Sequence, residues 1–143
     1  MTAIATRPLP ARLRRRRRAS DAALLRFAMR FDATLCAATG LFIATLADPL
    51  SRLSGLSAAS EWVAGAALVG YGAVLYALAS VPAIRRVGVG IVAANVVFAI
   101  VAVAVLAAGL LPLTGTGVAM ISALTASAVG CAYLQYLGVR RLA

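Results

Sequence analysis

Five polar side chains fall within long apolar stretches of this sequence, where they could meet and do chemistry. They are Asp32, Thr39, Tyr76, Asn95 and Gln135. Ionisable and amide groups in hydrocarbon are costly, so they often mark a path or a site for a solute or a proton. In such a site Asp32 would be the titrating group, with Asn95 and Gln135 as its hydrogen-bonding partners.

The competing interpretation of this polar cluster is structural. Polar side chains between membrane helices contribute about 0.6 kcal/mol each, enough to fix helix register without a substrate, and this interpretation is favoured. Asp32 could also pair with Arg30 or Arg140 at the membrane surface. Counted from the ends of the apolar stretches, Asp32 and Gln135 lie within about one turn of that surface, whereas Thr39 and Asn95 lie roughly 12 Å in from it.

The elements that must position these residues are four apolar stretches, residues 31–47, 62–81, 87–111 and 117–138. Hydrophobic residues make up 63% of the chain and mean hydropathy is +0.97, which excludes an ordinary soluble domain. Each stretch is near the ~20 residues that a helix needs to cross ~30 Å of hydrocarbon. The sequence therefore predicts an all-α fold, a four-helix transmembrane bundle with antiparallel neighbours, formed by residues 21–143.

The connections carry turn and capping residues. Asp48 is predicted as the N-cap of a short helix on the membrane surface, with Gly55 ending it and Ser57 capping the next span. Pro82 and Pro112 mark two tight turns.

Residues 1–20 form a basic segment, predicted to be a disordered cytoplasmic tail followed by a short interfacial helix that runs into the first span. Each basic residue near an anionic leaflet contributes about 1 kcal/mol to membrane attraction. The tail is therefore expected to contact anionic lipid headgroups, and nucleic acid is disfavoured because the run leads into an apolar span rather than a reading domain. Cleavage as a signal peptide is disfavoured, because it would discard most of the charge asymmetry. The candidate lipid-contacting residues are Arg12, Arg14, Arg15, Arg16, Arg17 and Arg18.

Arginines also predict the orientation. Nine precede the first span, two lie in the second connection and two follow the fourth span, whereas Arg52 alone lies in the first connection. The positive-inside rule then places both termini in the cytoplasm of a bacterial cell, with the protein in its cytoplasmic membrane.

The sequence contains few of the side chains that enzymes use for catalysis. The chain has no histidine and four carboxylate side chains, and Cys36 and Cys131 lack the spacing of a redox or metal motif. The sequence predicts no catalytic residue, no metal site and no cofactor.

Three segments, RFDATLCAATGLF, AANVVF and LQYLGVRR, resemble an uncharacterised family of small bacterial four-span integral membrane proteins. The resemblance covers residues 30–141 and implies no particular activity. We expect a non-enzymatic accessory or assembly partner of a larger membrane complex. The alternative is a minimal oligomeric transporter of a small solute or proton that uses the polar cluster. The matching residues are Arg30, Asp32, Ala33, Asn95, Leu134, Gln135, Tyr136, Gly138, Arg140 and Arg141.

Overall fold

The computed structural model describes residues 11–142. All of the regular secondary structure in this range is helical. Its helices are α1 (Ala11–Thr45), α2 (Ala47–Ser54), α3 (Ala58–Leu78), α4 (Ile84–Ala107) and α5 (Gly115–Arg141). Four of them are long and apolar enough to cross a membrane, with α1 qualifying over Ala19–Thr45. The predicted all-α fold with four spans is confirmed at this level.

The spans begin and end at different residues from those predicted. The first starts at Ala19 rather than at residue 31, because the amphipathic segment before it belongs to the same helix. The second starts at Ala58, because the Ser57 side chain accepts a hydrogen bond from the Ser60 N–H at 3.1 Å and caps α3. The third ends at Ala107, before the turn that contains Pro112.

The basic segment differs from its prediction over residues 11–20, which are helical rather than disordered. Arginine is a good helix former, so the run from residue 11 onward extends α1 and continues into the first span without a break. Residues 1–10 lie outside the described residues, as do the side chains of Arg14 to Arg18. Arg12 is exposed.

The short helix α2 forms as predicted but is capped differently. Its N-cap is Leu46 and Asp48 lies in its first turn. Gly55 ends it with φ 87°, a left-handed conformation that suits glycine. The Thr114 N–H donates to the Ser54 carbonyl oxygen at 2.9 Å, which fastens α2 to the turn before α5. We call this the α2 end of the bundle.

Helix α1 is the central helix: it packs along α3 and also contacts α4 and α5, while α4 packs along α5. Glycines allow the close approach of α1 and α3. A Cβ atom added at Gly65 would lie 2.5 Å from the Ala44 nitrogen and 2.6 Å from the Gly40 oxygen. A Cβ atom at Gly72 would lie 2.7 Å from the Ala33 oxygen. The two backbones are therefore in contact, as in small-residue membrane packing.

The opposite end of the bundle, which we call the terminal end, holds most of the apolar core. Leu25 and Met29 of α1 are fully buried there against Leu75 and Ala79. The Arg26 guanidinium donates to the carbonyl oxygens of Ala79 and, at 3.0 Å, Val81. These carbonyls follow the last turn of α3, so Arg26 satisfies groups that the helix leaves unpaired.

Helices α3 and α4 follow each other in the chain. Within the described residues, however, they do not pack along one another. The bundle thus consists of an α1–α3 pair and an α4–α5 pair, joined through α1. This arrangement leaves a gap between α3 and α4.

We predict that Gly65→Ala destabilises the protein by about 1–3 kcal/mol, because the added methyl group would collide with the backbone of α1. Unfolding followed by circular dichroism in mixed micelles would measure the change. The matched control is Gly70→Ala on the same helix, where an added Cβ meets nothing within 4 Å. That control should be neutral or stabilising by about 0.5–1 kcal/mol. Equal losses at both positions would contradict the packing described for α1 and α3.

Candidate functional site

A closed set of hydrogen bonds joins three helices at Asp32. The Asn95 Nδ2 atom of α4 donates to Asp32 Oδ2 at 3.0 Å, and the Gln135 Nε2 atom of α5 donates to the same oxygen at 2.7 Å. Asn95 Nδ2 also donates to Gln135 Oε1 at 3.2 Å. Asp32 is 2% exposed and Gln135 is fully buried. The structure thus brings three of the five predicted site residues together.

The Asp32 carboxyl group acts as the acceptor in each of its own hydrogen bonds. The Cys36 thiol, one turn along α1, donates to Oδ1 at 3.4 Å. The groups that hydrogen-bond to Asp32 among the described residues are amides and thiols, none of which carries a positive charge.

The arginine expected beside Asp32 is engaged elsewhere. The Arg30 guanidinium lies 5.7 Å from the centroid of the Tyr76 ring, a cation–π distance. The predicted Arg30–Asp32 alternative is therefore wrong. Helix geometry explains why Arg30 does not reach Asp32. Side chains two residues apart on a helix point about 200° apart, so Arg30 faces outward when Asp32 faces inward.

Tyr76 was expected in the polar cluster, and the structure corrects this. Its side chain is 54% exposed on the outside of the bundle, and Tyr71 takes its place. The Tyr71 hydroxyl donates to Asn95 Oδ1 at 3.1 Å. Five residues along a helix turn the side chain by about 140°, so the two tyrosines lie on opposite sides of the α3 face that packs on α1.

The predicted depths also change. Asp32 and Gln135 lie level with Asn95, since all three are hydrogen-bonded, instead of nearer the surface. Counting from the ends of the apolar stretches misplaced the start of the first helix, because α1 begins at Ala11, well before residue 31. Thr39 lies two turns further along α1 and lines the cavity described next; no described hydrogen bond joins it to Asp32.

A cavity of about 570 Å³ extends from the polar cluster toward the α2 end. Asp32, Tyr71 and Asn95 line it at one end. Aliphatic and aromatic side chains form most of the remaining wall, among them Leu68, Phe98, Val101, Ile121 and Leu124. Its volume lies within the ~300–1,000 Å³ usual for small-molecule sites.

A second buried carboxyl group lies at the other end of the cavity, and sequence reasoning missed it. Glu61 is 5% exposed, and its Oε1 atom accepts a hydrogen bond from the Ser54 hydroxyl. Both residues line the cavity. The available signal was the position of Glu61 four residues before Gly65, which places it on the α3 face that packs inward.

Among the described residues, no three side chains of His, Cys, Asp or Glu come together as metal ligands.

Comparisons with known proteins give no match: no family model, no curated protein and no solved structure is similar to this chain.

We predict that Tyr71→Phe destabilises the protein by about 1 kcal/mol, because it removes the hydroxyl that donates to Asn95. Tyr76→Phe is the matched control: it removes one hydroxyl from the same helix but keeps the ring that Arg30 contacts. Unfolding of both variants in mixed micelles would measure the difference. A larger loss for Tyr76→Phe would show that the tyrosine of the cluster is misidentified.

Proposed function

We propose that this protein is a small multi-pass membrane protein without catalytic activity that binds a small solute inside its helix bundle. This is the transporter-type alternative raised by the sequence, with the site extended from the polar cluster to the cavity beside it. The observation that carries the proposal is the cavity itself, an apolar space that ends on the Asp32–Asn95–Gln135 cluster.

The cavity has the features of a ligand site. Its wall contains exposed residues, such as Ala67 and Val101, so it is a pocket open to its surroundings rather than a packing void. A cavity that ends on convergent polar groups has the usual composition of a ligand site: apolar walls with a few polar atoms that orient the ligand.

The setting that we propose is a bacterial cytoplasmic membrane, with both termini in the cytoplasm. Large apolar side chains such as Phe42, Ile100 and Leu110 are more than half exposed on the bundle, as lipid contact requires. Thirteen arginines against one support the orientation. The order of contacts supports spans of alternating direction, since Gly40 of α1 meets Gly65 and Ala33 meets Gly72. The resemblance to small bacterial four-span proteins agrees with this setting.

A second candidate is the accessory or assembly role. It is favoured by an outward ladder of small residues on α5, Ser122, Ala126 and Gly130, all of which are exposed. A Cβ atom at Gly130 would meet nothing within 4 Å. Small residues at this spacing allow another membrane helix to approach closely, either from a partner protein or from a second copy. Such a role would not depend on the cavity.

We predict that native mass spectrometry of the protein released from its own membranes detects one bound small molecule, and that Ala67→Phe removes it. Ala67 of α3 is exposed and lines the cavity one turn from Tyr71, so a benzyl group there is expected to fill the gap.

The matched control is Ala73→Phe, on an exposed position of α3 that does not line the cavity. It should keep the adduct. A protein that carries no adduct, or loses it equally in both variants, would argue against the solute site. A membrane-protein partner that is retained in both variants would then favour the accessory role.

Orientation has its own test. We predict that a thiol reagent that cannot cross membranes labels Ala59→Cys from outside intact cells but leaves Ala83→Cys unlabelled until the cells are opened. Both positions are exposed, at the α2 end and at the α3–α4 turn respectively. Cys36 and Cys131 should be replaced by alanine in the parent. The reverse pattern would invert the proposed topology.

A further inference from the structure

The cavity has acidic groups at both ends, and the described residues that line it include no basic side chain. Asp32 and Glu61 are almost completely buried, and their described partners are neutral amides, a thiol and a hydroxyl. A carboxylate in a low-dielectric interior is strongly stabilised by a nearby cation. The cavity is therefore complementary to positive charge.

The wall between those ends is complementary to an apolar body. Leu68, Val101 and Leu124 contribute aliphatic surface, and Phe98 lies on α4 one turn beyond Asn95. Tyr71 and Phe98 place two aromatic rings at the same end as Asp32, and aromatic rings attract organic cations. A strongly hydrated inorganic ion would find few oxygen ligands along this wall.

The gap between α3 and α4 provides a route from the lipid. Ala64 and Ala67 of α3 and Ala94 and Val101 of α4 line the cavity and are nevertheless exposed. Because these two helices do not pack along each other within their described lengths, the cavity opens between them at the level of the hydrocarbon. A ligand that enters there must first dissolve in the membrane.

We propose that the ligand is a membrane-soluble organic cation, which enters between α3 and α4 and binds with its positive charge at Asp32 and its apolar body along the cavity. This inference rests on the proposed function, since it names the class of solute. Tyr71 and Phe98 flank the charge, and Asn95 and Gln135 hold the Asp32 carboxylate in place.

The test compares two probes of nearly equal size and shape, tetraphenylphosphonium and tetraphenylborate, which differ in the sign of their charge. Their binding to the full-length protein in phosphatidylcholine nanodiscs is measured by equilibrium dialysis against protein-free nanodiscs. The chain has a formal net charge of +10, so non-specific attraction favours the anion. We expect the protein to bind the cation more tightly, and Ala67→Phe to abolish that binding.

Asp32→Asn should weaken binding of the cation by at least about ten-fold, because it removes the charge opposite the ligand. Asp48→Asn makes the same chemical change at an exposed position of α2 and should have no effect. If Asp32→Asn does not fold, the preference of the unmodified protein for the cation and the effect of Ala67→Phe still decide the question.

The remaining outcomes separate the two proposals. Tighter binding of tetraphenylborate that Ala67→Phe abolishes would overturn the cation and keep the solute site. Binding of neither probe, or binding indifferent to Ala67→Phe, together with the absence of a native adduct, would overturn both. Loss of cation binding in Glu61→Gln but not in Asp32→Asn would overturn the position given to the charge.

Discussion

The structure depends on the burial of one carboxyl group in the middle of an apolar bundle. Asp32 cannot reach water, so its oxygens must find donors within the protein, and the donors come from Asn95 and Gln135 on two other helices. That requirement fixes α1, α4 and α5 in register.

A different kind of contact fixes the remaining membrane-spanning helix, α3. Between α1 and α3 it is the absence of side chains at Gly40, Gly65 and Gly72 that allows the backbones to meet. Arg26 then ties α1 to the carbonyl groups at the end of α3. Since α1 supports both partners, α3 and α4 do not pack along each other, although the Tyr71 hydroxyl joins them through Asn95. The gap between them is a consequence of one helix serving as the common support.

The sequence was sufficient for the fold class, the number of spans and the central pair of amides, because each follows from apolar length or from the cost of polar groups in lipid. It was insufficient for Tyr71 and Glu61. To choose between Tyr71 and Tyr76, one must know which face of α3 packs on α1. Glycines define that face, and their role becomes visible only when the two helices are placed together. The start of α1 was misjudged because the polar residues 11–20 belong to the same helix as the apolar residues that follow them.

Charge is distributed in this protein in a way that packing alone does not explain. Its described arginine side chains lie outside the cavity, while two of its four carboxylate side chains line it. Asn95 and Gln135 could hydrogen-bond to each other, and a third neutral amide in place of Asp32 would complete the same three-helix contact at a lower cost of desolvation. An acid at that position places an ionisable carboxyl group directly beside an apolar cavity, with no basic side chain among its described hydrogen-bond partners. The structural interpretation accounts for the hydrogen bonds of Asp32, and the proposed cation would account for the choice of an acid.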